Sequence, residues 1–139
     1  MASERTLGII KPDAVKSRHV GEIITIIERN GFRIVAMKQR LLSQREAEEF
    51  YAIHKDRPFF SGLVKLMTEG PAIVLALERE DAVARWREVM GATNPTSAAD
   101  GTIRKQFAEN IERNSVHGSD ALETAANELP FFFSPTELV

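Results

Sequence analysis

"PAIVLALER", residues 71–79, is an unbroken apolar run opened by a proline and closed by charge. It shows none of the alternation expected of a strand with one wet face, and it reads as the central strand of a sheet. The fold then depends on what flanks it. Toward the N-terminus, "RPFFSGLVKLMTEG" (57–70) reads as a shorter helix running from Pro58 to a stop at Gly70. "SQREAEEFYAIH" (43–54) opens with Ser43 and Glu46 at capping-box spacing and puts Ala47, Phe50, Tyr51 and His54 on one face. "FRIVAMKQRL" (32–41) alternates Phe32, Ile34 and Ala36 against Arg33, Val35 and Met37, a strand with one buried face. "VGEIITIIERNG" (20–31) carries apolar residues at 20, 23, 24 and 27 with Gly31 as its stop. "RTLGIIK" (5–11), halted by Pro12, is a buried strand ending at a loop.

Toward the C-terminus, "EDAVARWREVMG" (80–91) is helical, with Val83, Trp86, Val89 and Met90 inward. From Ala92 to Arg113 no apolar period survives, which predicts a loop of about 20 residues, long enough to be functional. "SVHG" (115–118) is a short strand, and Asp120 to Leu129 a last helix with Leu122, Ala125, Ala126 and Leu129 inward. Strands interleaved with helices predict a small α/β (α+β) sandwich. The ferredoxin-like βαββαβ core, an antiparallel sheet covered by helices, fits the count.

The composition bounds the chemistry. The 139 residues predict one domain over 1–139. There is no cysteine, which excludes disulfides, thiol catalysis and thiolate metal sites and fits a cytoplasmic location. The net charge of −2 speaks against a broad nucleic-acid footprint. Twelve of the 18 basic residues are arginine, suited to forked recognition of phosphate or carboxylate. Neither a signal peptide nor a membrane span is expected. The glycine-rich phosphate loops, H-R-D and H-E-x-x-H are all missing. Any phosphate must therefore be bound by side chains, and a protein metal site is not expected.

"NSVHGSD" (114–120) is where chemistry concentrates. His117 is either a structural turn residue or a presented nucleophile. Gly118 removes bulk beside the ring, Ser119 offers a hydroxyl, and Asp120 begins a helix whose free N–H groups favour an anion. A neutral imidazole is a good nucleophile near pH 7 once a partner fixes its other nitrogen. Glu128, two turns into the helix, either swings back to do this or is solvated. Lys11, at a strand end, is a phosphate contact or an edge residue. Arg87, Thr93 and Arg104 are surface residues by default. Of Phe59 and Phe60, one can stack on a base, or both pack in the core.

The blocks "RTLGIIKPDAV", "GFRIVAMK", "FYAIHKDRPFF", "LVKLMTEGP", "GATNP", "GTIR" and "NSVHGSDALETAANEL" resemble, in order and spacing, those of the nucleoside diphosphate kinases. N-x-x-H-G-S-D is the most specific, and coverage runs from about residue 4 to 133. The resemblance implies ping-pong transfer of a γ-phosphoryl group between nucleoside tri- and diphosphates, with His117 as nucleophile. It places Lys11, Arg87, Thr93, Arg104 and Asn114 on phosphate and sugar. Phe59 would stack on the base, with Leu63 and Ile111 in the apolar slot. Tyr51 would lie beside the transferred group, and Ser119 and Glu128 would bond to and orient the histidine. Mg²⁺ would arrive on the nucleotide phosphates. A homo-oligomer built from dimers, tetramer or hexamer, is implied, and the short tail "SPTELV" leaves no long C-terminal arm. Three positions depart from the family pattern. Gly8 stands where serine is common, Ile53 where an acidic residue is frequent, and Trp86 at a variable position. The rival readings are a non-catalytic member that kept the fold and a ferredoxin-like ligand- or nucleic-acid-binding module. The first should have lost the histidine or the phosphate contacts. The second should show aromatics on sheet strands and a basic face.

Overall fold

The computed structural model describes residues 3–139. In chain order the elements are β1 (Ser3–Ile10), α1 (Pro12–Lys16), α2 (Val20–Arg29), β2 (Arg33–Arg40), α3 (Gln44–Phe50) and α4 (Phe60–Thr68). They continue with β3 (Ala72–Glu80), α5 (Ala82–Met90), α6 (Ile103–Phe107), β4 (Val116–Gly118) and α7 (Leu122–Phe132). The sheet order is β2-β3-β1-β4 and each pairing is antiparallel. The run β1-α2-β2-β3-α5-β4 is the expected ferredoxin-like core, and β3, the 71–79 stretch, lies inside the sheet.

Helices cover both faces. On one, Leu7, Ile9 and Val74 pack against Ala47, Tyr51, Met67 and Leu129 from the α3, α4 and α7 side. On the other, Ile10, Leu75 and Leu77 meet Ile23 and Ile27 of α2, Trp86 and Met90 of α5, and Ile103. Double coverage explains why β1 and β3 read as continuous apolar runs although the sheet is antiparallel. Among the described residues no helix is long and apolar enough to cross a membrane.

Four local expectations change. In β2 Val35 is 1% exposed rather than on an open face with Arg33 and Met37, because helices cover its face too, and a bulge between Ile34 and Ala36 brings Ala36 onto that same face. One extra residue in a strand flips the faces that follow it. The 92–113 stretch is not all loop. Thr102 caps the five-residue α6 through the Lys105 amide, and Ile103 is fully buried. One helical turn is too short to leave a period. The helices around Phe59 are shorter than predicted. α3 stops at Phe50 before a 3-10 turn at Ala52–His54, and α4 starts at Phe60, leaving Phe59 at its N-cap. Finally, α7 starts at Leu122 rather than Asp120 and runs through Pro130 to Phe132. Ala125, Leu129 and Phe132 are buried there, while Leu122 and Ala126 are exposed.

Candidate active site

β4 is an edge strand on β1, with Ile9 opposite His117. Side chains alternate across a sheet. Val116 is therefore buried in the layer with Trp86, and the His117 ring points to the other face. There the ring meets Phe50 at 5.5 Å and Tyr51 at 5.8 Å, both edge-on. Its Nε2 lies 3.5 Å from Glu128 Oε2, an ion-pair separation longer than a hydrogen bond. That contact leaves Nδ1 as the nitrogen without a carboxylate neighbour. Gly118 does not serve to admit another molecule beside the ring. A Cβ there would lie 2.5 Å from Trp86 Cδ1 and 2.6 Å from Met90 Cε, so its job is close packing under the strand.

Glu128 is not the solvated glutamate that spacing favours. Its side chain is 17% exposed, and Oε1 accepts a 2.7 Å hydrogen bond from Ser119 Oγ. Burial pushes its carboxyl up, but His117 and the Ser119 hydroxyl together hold it below the usual carboxylate value. Ser119 is fully buried, and its Oγ also accepts from the Leu7 amide at 3.4 Å. It reaches the carboxylate rather than the imidazole. The chain therefore runs Leu7, Ser119, Glu128, His117, with each member fixing the next. Tyr51 is 4% exposed, and burial, with the Glu128 charge behind it, raises its phenol above the ordinary value.

Three cations converge in front of the ring in a cleft of about 400 Å³. Lys11 is 4% exposed, so it is not a snorkelling edge residue. Its Nζ donates to Asn114 Oδ1 at 2.8 Å and the Glu112 carbonyl at 2.9 Å. Burial lowers its pKa to about 8. Arg104 is also buried, and donates to the carbonyls of Gly91 at 2.9 Å, Asn114 at 3.3 Å and Val116 at 2.8 Å. Arg87 is exposed and pairs with Asp120 at 2.9 Å. Asp120 thus caps no helix; it is an exposed counter-ion at the cleft wall.

The cleft continues into an apolar slot of about 580 Å³. Phe59 and Ile111, both exposed, and the half-buried Leu63 line it, with Thr93 and Asn114 at the junction. Phe60 packs on the core, so the two aromatics divide the two roles. Ten of the twelve residues singled out above line the cleft or the slot, and Ser119 and Glu128 stand behind the ring. Two neighbours were missed. His54 bridges the Phe59 ring, at 5.5 Å, and the Tyr51 ring, at 6.5 Å. Trp86 Nε1 donates to the His117 carbonyl at 3.2 Å. The histidine in "YAIHKDRPFF" was a visible signal; nothing in the sequence tied residue 86 to residue 117. Of the departures, Ile53 is 87% exposed, Trp86 is fully buried, and a Cβ at Gly8 would lie 3.3 Å from the Trp86 ring.

Among the described residues no three His, Asp or Glu side chains cluster to hold a metal ion. The cleft is instead cationic with an adjoining apolar slot, suited to a phosphorylated ligand with a planar ring.

Known proteins match this arrangement along the whole chain. The sequence profile of the nucleoside diphosphate kinases matches residues 4–138. The nucleoside diphosphate kinase of Chlamydia abortus is 61% identical over 136 residues, covering 98% of this chain and 96% of the relative. That of Oleidesulfovibrio alaskensis is 57% identical, covering 98% of each. The Aquifex aeolicus nucleoside diphosphate kinase structure superposes with a TM-score of 0.97 at 42% identity, over 99% of this chain and 100% of that one. The Halobacterium salinarum enzyme, solved in complex with CDP, gives 0.95 at 38% identity, over 99% and 92%. With profile, sequences and fold in agreement over nearly every residue, the chain belongs to the nucleoside diphosphate kinase family of phosphotransferases.

Proposed function

We propose that this chain moves the γ-phosphoryl group of a nucleoside triphosphate to a nucleoside diphosphate in two half-reactions through His117. The observation that carries the reading is the His117 ring. Glu128 backs its Nε2 at 3.5 Å, and Lys11, Arg87 and Arg104 share the cleft in front. In the first half-reaction the Nδ1 lone pair attacks the γ-phosphorus. The bond to the β–γ bridging oxygen breaks, and the diphosphate leaves with that electron pair. The proton stays on Nε2, facing Glu128. In the second half-reaction a terminal oxygen of another diphosphate attacks the phosphohistidine, and Nδ1 regains its pair. Such transfer asks for positioning and for positive charge on the equatorial oxygens, which the three cations supply without a glycine loop.

Phe59 offers a π-face to the base, with Leu63 and Ile111 lining the slot, so any base is accepted. Thr93 and Asn114 stand between slot and cleft, at phosphate and sugar, and Tyr51 lies beside the transferred group. Mg²⁺ enters as part of the nucleotide, liganded by its phosphates. The reading also takes residues 1–139 as a single domain. It takes the assembly as a tetramer or hexamer built from dimers, supported by Met37 and Leu41, which are 51% and 66% exposed on or beside the β2 edge. The absence of cysteine supports a cytoplasmic location.

The test is an intact mass after brief exposure to ATP and Mg²⁺, then to GDP. One acid-labile phosphoryl group, gained and then chased off as GTP, is expected. An unchanged mass in a chain that demonstrably binds nucleotide would refute the transfer.

Lys11 sets a pH dependence. Its ammonium is charged below about pH 8 in the free chain. The ratio kcat/KM therefore falls as pH rises through about 8, because the phosphate partner is lost. Bound phosphate favours the charged form, so the fall in kcat comes at higher pH. Stability moves the other way. Between about 8 and the ordinary value of 10.5 the folded lysine is neutral while the unfolded one still holds its proton. This group then adds stability as pH rises. Rate profiles paired with melting curves on both sides of pH 8 separate the two effects. A kcat/KM that stays level well past pH 8 would remove Lys11 from phosphate binding.

A further inference from the structure

We infer that Trp86 is a positioning residue for the phosphoryl transfer: its indole N–H fixes the main chain that presents His117. The inference rests on His117 being the nucleophile. β4 has three residues and pairs with the sheet on one side only, so few main-chain bonds restrain it. The Trp86 Nε1 donor adds one at the decisive residue, reaching the His117 carbonyl at 3.2 Å. The indole comes from the face opposite the imidazole. Glu128 thus restrains the ring from one side of the sheet, and Trp86 the backbone from the other.

The slot around the indole is built for it. Trp86 is fully buried, and Phe32 meets it edge-on at 6.1 Å. A side chain at Gly118 would collide with it, its Cβ 2.6 Å from the donor Nε1 itself. A side chain at Gly8 would crowd it as well, 3.3 Å from Cζ2 and 3.1 Å from Leu77 Cδ1. Gly8 and Trp86 therefore complement each other in space.

The same helix carries Arg87 into the cleft, one residue on. Its Nη1 reaches Asp120, two residues past Gly118, at 2.9 Å. α5 thus grips the His117 segment at two points and sets the spacing between nucleophile and cation. Phosphoryl transfer depends on that alignment more than on new bonds, so a small displacement slows the step. The groups that hold the nucleotide, Lys11, Arg87, Arg104 and the Phe59 slot, are all retained when the indole N–H alone is removed.

Trp86 is the sole tryptophan, so replacing all tryptophan biosynthetically changes this site alone. Benzothienylalanine keeps the ring shape and puts sulfur in place of N–H; 7-azatryptophan keeps the N–H. Rapid-quench measurement at saturating ATP and Mg²⁺ should show phosphorylation of His117 slowed about 3- to 10-fold in the benzothienyl chain, the worth of one hydrogen bond. The half-saturating ATP concentration should stay unchanged, and the azatryptophan chain should match wild type. Trp86→Phe should slow the step in the same way, with folding followed by circular dichroism. A folded benzothienyl chain as fast as wild type would overturn the inference and leave Trp86 as packing. An azatryptophan chain as slow as the benzothienyl one, or a change in half-saturation alone, would overturn it too. Wild-type protein that takes up no phosphoryl group would instead refute the nucleophile reading, and this inference with it.

Discussion

His117→Ala lowers turnover by about four orders of magnitude or more, the usual consequence of removing a nucleophile that works as a unit with its partners. Nucleotide affinity stays close to wild type, because Lys11, Arg87, Arg104 and the Phe59 slot are untouched. The fold survives as well. The ring is partly exposed, at 23%, and Glu128 keeps its 2.7 Å bond from Ser119 when the imidazole goes. A linked assay for triphosphate formation, titration calorimetry with a diphosphate, and intact mass after ATP give the three readings. Turnover above that residual level, or a phosphoryl group still taken up, would place the transfer elsewhere. Lost affinity with residual turnover would make His117 a binding residue.

The sequence reveals most where a signal is long or chemical. The unbroken run at 71–79 gives β3, and "RTLGIIK" gives β1, because strands buried on both faces leave no polar alternation. "NSVHGSD" singles out His117 as either a turn residue or a nucleophile, and the family resemblance supplies the nucleophile role. What stays hidden depends on a shift of one residue or on distance through space. The β2 bulge moves Ala36 onto the Val35 face by inserting a single residue, which no period detects. α6 is one turn, seen only through its Thr102 cap. Glu128 stands eleven positions from His117, a spacing equally good for a solvated residue. What brings it back is the extended backbone at Ala121, between β4 and α7. The resemblance implies that Ser119 and Glu128 orient the histidine, and in the structure the hydroxyl serves the carboxylate. Gly118 suggests ligand access beside the ring, yet its missing side chain makes room for Trp86 and Met90.

Arg104→Lys should damage both stability and catalysis despite keeping the charge. The guanidinium is buried, and its three nitrogens reach the carbonyls of Gly91, Asn114 and Val116. Two of those carbonyls flank Ser115, which sits at a φ of +73°, and the third ends α5. One planar fork therefore ties the end of the Arg87 helix to the turn that leads into His117. A lysine places a single ammonium there and cannot span three acceptors. It leaves buried carbonyls without donors, a loss of about 2–4 kcal/mol in unfolding free energy. With the turn loosened and a forked phosphate donor gone, kcat/KM falls by about 10²–10³. Arg104→Met should lose similar stability and more activity, because the positive charge goes too. Chemical denaturation and steady-state kinetics on the two variants divide the roles. If the lysine variant melts like wild type, the carbonyl contacts do not hold the turn. If the two variants are equally inactive, the charge at this position contributes nothing beyond the geometry that the fork maintains.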